Sequence, residues 1–141
     1  MFLVIDTNVL FSFFRRSKVF ELVRGLRGIG VRLISPDVIL FELLKLKEEI
    51  MKSSKISEVE FEVLSVTLTT IVKSVPKEEY EEFLEESKRV SPHLKDAPLF
   101  ALALAFNKIP IWSREPRLKR QKIVKVLHDK EVEEYFGLVK S

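Results

Sequence analysis

Residues 1–10 read MFLVIDTNVL. From Phe2 to Ile5 the run is β-branched and aromatic with no polar residue inside it, so neither face is set aside for water. That is the pattern of a strand buried on both faces, at the centre of a parallel sheet. The run stops at a carboxylate, Asp6, and apolar residues resume after Thr7 and Asn8. In an open parallel sheet ligands bind at the carboxyl ends of the strands. Asp6 sits at such an end, and its other reading is the N-cap of a helix from about Asn8 to Phe14.

Working outward, apolar strands alternate with helical patterns. Ser17 to Leu26 reads as a helix with Phe20, Val23 and Leu26 on one face, and VRLI (31–34) as the second strand. Ser35 and Pro36 read as N-cap and first-turn proline of a helix through roughly Ile50. Ser57 and Glu60 have capping-box spacing for a helix to about Thr70. IVKSV (71–75) is a weaker third strand, followed by Pro76 and the helical pattern KEEYEEFLEESKRV, with Tyr80, Phe83 and Leu84 inward. Asp96 precedes the apolar helix APLFALALAF; IPIW (109–112) and IVKVL (123–127) read as further strands, and a last helix starts near Asp129. The alternation predicts one domain over residues 1–141: an α/β fold, with helices on both faces of a parallel sheet of four to five strands.

Composition narrows the chemistry. The chain of 141 residues has no cysteine, so a disulfide framework and a thiolate metal site are excluded and any metal would take oxygen ligands. No apolar stretch is long enough to cross a membrane, and no basic segment precedes the first apolar run, which predicts a soluble, cytoplasmic protein. Charged residues make up 32% of the chain while Asn, Gln, Met and Cys are scarce, a profile that points toward a thermophile. Of the 21 acidic residues only four are Asp (Asp6, Asp37, Asp96 and Asp129), so each Asp calls for its own explanation.

Four acids stand out. Asp6 ends the first strand. Glu42 lies in VILFELL between large apolar residues, where an unpaired buried carboxylate is costly; the alternatives are a solvated helix edge or pairing with Lys45 or Lys47. Asp96 opens a helix with Pro98 in its first turn and reads equally as an N-cap. Glu115 follows the fourth strand in WSREP, and by itself reads as an exposed loop acid. Acids converging on one sheet edge repel unless a cation sits among them, and oxygen-only ligation suits Mg²⁺ or Mn²⁺.

The order DTN in the first strand, a Glu in the helix after the second, KDAP before an apolar helix, and Ser-x-acid after the fourth strand resembles the PIN domain, a nuclease family. The resemblance spans nearly the whole chain. It implies an α/β/α sandwich whose central strand carries Asp6, a Mg²⁺ or Mn²⁺ site, and hydrolysis of RNA phosphodiesters. Position by position, the family's acids fall on Asp6, Glu42, Asp96 and Glu115, with Asn8 and Ser113 as supporting polar groups. Members usually carry Asp where this chain has Glu115, which bears on a second metal site. Small stand-alone members are often toxins paired with an antitoxin, and the family also suggests a homodimer.

The charge distribution is consistent with an RNA partner. Arg114 to Lys125 holds six basic residues and one acid, as does Arg15 to Arg32, whereas Lys77 to Arg89 holds six glutamates and three basic residues. A phosphate-binding face and a solvated far face would produce that segregation, and so would a Lys-rich surface. Beside Glu115 the RNA-contact candidates are Arg114, Arg117, Lys119, Arg120 and Lys122; Trp112 suits either base stacking or packing. His93 and His128 lack metal-ligand spacing. Receiver domains and haloacid-type phosphatases need acids that DTN lacks, and no phosphate-binding Gly-rich loop occurs. The remaining alternative is a catalytically inactive module that keeps the fold and binds RNA or protein.

Overall fold

The computed structural model describes residues 1–15 and 18–138, so the Ser17 start of the second helix lies outside the described residues. Five strands, β1 (Phe2–Ile5), β2 (Arg32–Pro36), β3 (Val72–Val75), β4 (Ile111–Trp112) and β5 (Val126–Leu127), form one all-parallel sheet in the order β3-β2-β1-β4-β5. Leu3, Val4 and Ile5 are buried, as a central strand requires. Around the sheet lie α1 (Thr7–Phe13), α2 (Lys18–Gly28), α3 (Asp37–Lys45), α4 (Lys47–Ser54), α5 (Glu58–Ile71), α6 (Leu84–Val90), α7 (Ala97–Ala105) and α8 (Asp129–Tyr135). This is the α/β/α arrangement the sequence predicts. Successive strands are added outward from β1 in one direction as far as β3, then on its other side as β4 and β5. The crevice at this switch point, between the carboxyl ends of β1 and β4, is where such sheets bind ligands. Asp6 and Ser113 are the first residues past those two strand ends.

Three local expectations are corrected. Ser35 and Pro36 end β2, and the N-cap of α3 is Pro36 rather than Ser35; the Ser35 hydroxyl is fully buried and donates to the Ile5 carbonyl at 3.1 Å, tying β2 to β1. The helix expected through Ile50 is two helices, broken at Leu46 (φ −92°, ψ 19°). KEEYEEFLEESKRV forms two 3-10 turns, Lys77–Glu79 and Glu81–Phe83, before α6. Tyr80 between those turns has a non-helical φ of −132°, and its buried ring is fixed by a 2.8 Å hydrogen bond from its hydroxyl to Asp37. A tertiary contact here overrides a run of good helix formers. The capping box of Ser57 and Glu60 is present at α5. Buried α7 packs against β1, β2 and β4, as its apolar sequence requires.

Candidate active site at the carboxyl edge of the sheet

The backbone N–H of Asp6 donates to the Trp112 carbonyl at 3.0 Å, so the last β1–β4 bond of the sheet lies directly under the carboxylate. The side chain is buried, 9% exposed, and its donors are neutral: the Thr7 N–H to Oδ1 at 2.7 Å and the Ser113 hydroxyl to Oδ2 at 2.7 Å. It therefore caps α1 and faces the crevice, so the two sequence readings hold together. Burial pushes its carboxyl above the ordinary range and the charge of Asp96 adds to this; the two hydrogen bonds and the charge of Arg117 oppose it.

Ser113 is buried and works in two directions. Its hydroxyl donates to Asp6 and accepts the Glu115 N–H at 3.0 Å, so it positions the strand-end acid and the loop acid together. Asn8 accepts the Arg114 N–H at 3.2 Å and fixes the same loop from the α1 side. Both expected supporting residues thus hold neighbouring parts of the edge in place.

Asp96, 6% exposed, makes no capping bond to α7. Its oxygens instead accept from Arg117, Oδ2 from Nε at 3.3 Å and Oδ1 from Nη2 at 3.2 Å. The remaining nitrogen, Nη1, stands 3.2 Å from Oε2 of Glu115, and Oε1 of Glu115 accepts the Arg117 N–H at 3.4 Å at the head of the 3-10 turn Pro116–Arg120. One guanidinium therefore spans two of the four acids.

Of the readings offered for Glu42 the structure matches the solvated helix edge: the residue is exposed, because α3 turns Val38, Phe41 and Leu44 outward. Neither suggested lysine pairs with it: Lys45 lies over the Phe41 ring at 4.5 Å, and Lys47 pairs with Glu58 and Glu62. Glu42 nevertheless lines, with Asp6, Asp96, Glu115, Lys95 and Arg117, one cavity of about 390 Å³. A larger cavity of about 520 Å³ beside α3 is apolar apart from Asp37 and polar hydroxyls, so the acid chemistry belongs to the smaller one.

The donor set suits a hard divalent ion, being carboxylates over a partly buried floor. As the side chains stand, however, no three acidic or histidine groups among the described residues converge closely enough to hold an ion. The sequence did not reveal what separates them: Arg117, expected to face RNA, turns inward to Asp96 and Glu115. The short Glu-Pro-Arg spacing, which places Arg117 in the first turn after Glu115, was the available signal.

The other basic residues divide. Arg114 forms a fork with Asp129 (Nε–Oδ1 3.2 Å, Nη2–Oδ2 2.7 Å) and donates to the Ser12 hydroxyl, while Lys119 pairs with Glu131. Arg120 and Lys122 are exposed. Trp112 is fully buried and donates its Nε1–H to Asp129 at 3.0 Å, so its role is packing rather than base stacking. His93 and His128 both act as caps, of the Leu94–Asp96 turn and of α8. No helix among the described residues is long and apolar enough to cross a membrane.

Comparison with known proteins agrees with this architecture. Residues 4–136 match the PIN domain family. Among solved structures, one described as the crystal structure of VapBC2 from Rickettsia felis bound to a DNA fragment from their promoter superposes with a TM-score of 0.62 at 14% identity, covering 91% of this chain and 98% of the matched one. At that identity the likeness is one of fold. A comparison with curated proteins finds no match.

Proposed function

The chain belongs to the PIN-domain family, and from that premise we propose that it is a divalent-metal-dependent endoribonuclease that hydrolyses RNA phosphodiesters at the carboxyl edge of its sheet. The observation that carries this reading is the single cavity lined by Asp6, Glu42, Asp96 and Glu115, with Asp6 buried on neutral donors only. Asp6 and Asp96 would hold Mg²⁺ or Mn²⁺, with Glu42 from the rim and Glu115 nearer a second ion. When bound, the ion supplies a water nucleophile at neutral pH and charge for the departing oxygen.

The chain's own groups do the rest. Ser113 and the Thr7 N–H aim the Asp6 carboxylate into the cavity, and Asn8 fixes the loop that carries Glu115. Buried Leu99 and Ile39 make part of the wall apolar, which strengthens the charge interactions beside them. Exposed Arg120 and Lys122, a few residues after Arg117 in the chain, suit the RNA backbone, with Arg114, Arg117 and Lys119 able to join it by leaving their acids. One continuous hydrophobic core supports a single unit across the described residues.

The neighbour's VapBC2 assembly supports reading this chain as a toxin with an antitoxin partner, and with that reading goes a cytoplasmic location. Exposed Val38, Phe41 and Leu44 around the apolar cavity of α3 favour a protein partner, either an antitoxin or a second copy of the chain. The test is cleavage of labelled RNA by the purified chain. Mg²⁺ or Mn²⁺ should support cleavage, EDTA should stop it, and Asp6→Asn should abolish it. Metal-independent cleavage would overturn the metal dependence, and an RNA-binding chain with no cleavage under any ion would favour the inactive binding module.

A further inference from the structure

Two of the four acids that the proposed activity needs are already paired with a cation of the chain. Arg117 contacts both Asp96 oxygens and one Glu115 oxygen within 3.2–3.3 Å, so its planar fork is fully engaged by two carboxylates. Like charges at this separation repel unless a cation lies between them, and here the cation is a guanidinium. Its charge also reaches Asp6. No three acids converge on one point among the described residues, and Asp96 and Glu115 are both directed at Arg117.

This arrangement is reversible by its nature. The Arg117 side chain is 34% exposed, and partly solvated ion pairs are worth little, so a divalent ion entering the cavity can compete for the same carboxylates. Its backbone is held by Pro116 and the 3-10 turn, so a displaced guanidinium stays at the mouth of the cavity it lines. There its fork matches the geometry of a phosphate as well as it matches a carboxylate.

We propose that Arg117 is a resident counter-cation of the acid-lined cavity: it holds Asp96 and Glu115 while no divalent ion is bound, competes with that ion, and on its entry turns to clamp the RNA phosphate. The inference rests on the metal-dependent ribonuclease reading and adds to it an exchange of cations. Metal binding and substrate contact are then coupled through one side chain.

The experiment is calorimetric titration of the full chain with MnCl₂, comparing wild type, Arg117→Gln, Arg117→Lys and Asp6→Asn, with melting curves in EDTA and in saturating Mn²⁺. Arg117→Gln should bind Mn²⁺ about tenfold more tightly, within the usual range of coupling between two ligands. It should melt lower than wild type in EDTA and level with it in Mn²⁺, whereas a purely structural role would lower both. At saturating Mn²⁺ its RNA cleavage should fall about 100-fold, the scale of losing one charge-stabilising donor. Arg117→Lys keeps the charge but cannot span both carboxylates, so it should bind Mn²⁺ about threefold more tightly than wild type; it carries the test alone if Arg117→Gln does not fold.

Unchanged or weaker Mn²⁺ affinity in the variants, with binding lost in Asp6→Asn, would overturn the counter-cation role and leave the metal site standing. No Mn²⁺ binding by wild type or by either Arg117 variant would overturn both.

Discussion

Asp6 and Asp129 lie just past two strands, β1 and β5, at the same edge of the sheet, and their surroundings push them in opposite directions. Burial alone would raise Asp129, but hydrogen bonds from Arg114 and Trp112 and the charge of Arg114 outweigh it, so its carboxyl sits below the ordinary range. Asp6 is buried with only neutral donors and a second acid nearby, and sits above that range. A carboxylate bonded to its own cation is finished structure, joining β4, α8 and α1. A carboxylate buried in a cavity on neutral donors, with a raised pKa, is the kind of group the proposed activity calls for. Asp96 stands between the two cases, since its cation is borrowed from a flexible, partly exposed side chain.

The largest expected difference between the two aspartates is in activity. Asp6→Asn and Asp96→Asn should each reduce RNA cleavage by at least about 100-fold, whereas Asp129→Asn should keep it within a few-fold, measured as initial rates at saturating Mn²⁺. Equal losses for Asp6 and Asp129 would erase the distinction.

Stability should reverse the ranking. Asp129→Ala leaves the buried Trp112 Nε1–H without an acceptor and Arg114 without its fork, at a cost of about 1–3 kcal/mol in urea unfolding of the metal-free protein. Asp6→Ala removes a carboxylate that burial disfavours and should cost less. A greater loss for Asp6→Ala would mean that Asp6 is chiefly a structural cap.

The pH profile separates them again. Asp129, with a lowered folded pKa, contributes stability that is present above its unfolded value near 3.8 and is lost as pH falls through the folded value. Asp6, with a raised folded pKa, contributes stability that is full below 3.8 and declines as pH rises through its folded value. Urea midpoints from pH 3 to pH 7 in EDTA should show the acid-side loss reduced in Asp129→Asn and the decline on raising pH reduced in Asp6→Asn. Mn²⁺ should offset the Asp6 decline, because the ion binds only the ionised, folded form.

The smallest effect concerns the surface. Arg120→Ala with Lys122→Ala should weaken RNA binding uniformly across sequences and flatten its salt dependence by up to about one log-log unit per lost phosphate contact. An unchanged slope would assign both residues to ordinary solvated surface.

How much of this could be read from the sequence depended on whether the cause was local. The continuous apolar run of β1 announced a central strand, and the scarcity of Asp pointed to residues with individual roles: Asp37 receives Tyr80, Asp129 receives Arg114 and Trp112, and Asp6 and Asp96 meet in one cavity. What escaped were contacts between segments far apart in the chain. Tyr80 breaks a helical pattern because its hydroxyl reaches Asp37, Ser35 leaves its expected cap because its hydroxyl reaches Ile5, and Arg117 turns from the solvent side to Asp96. At Glu42 the apolar neighbours left burial and a solvated edge both open, and the edge prevails because α3 presents part of that apolar surface outward.

The most direct test is the anomalous diffraction of a crystal of the full chain soaked in Mn²⁺. A Mn²⁺ peak is expected in the cavity in contact with Asp6 and Asp96, with the Arg117 guanidinium withdrawn from Asp96. A cavity without a peak at saturating Mn²⁺, with Arg117 still bridging Asp96 and Glu115, would contradict it.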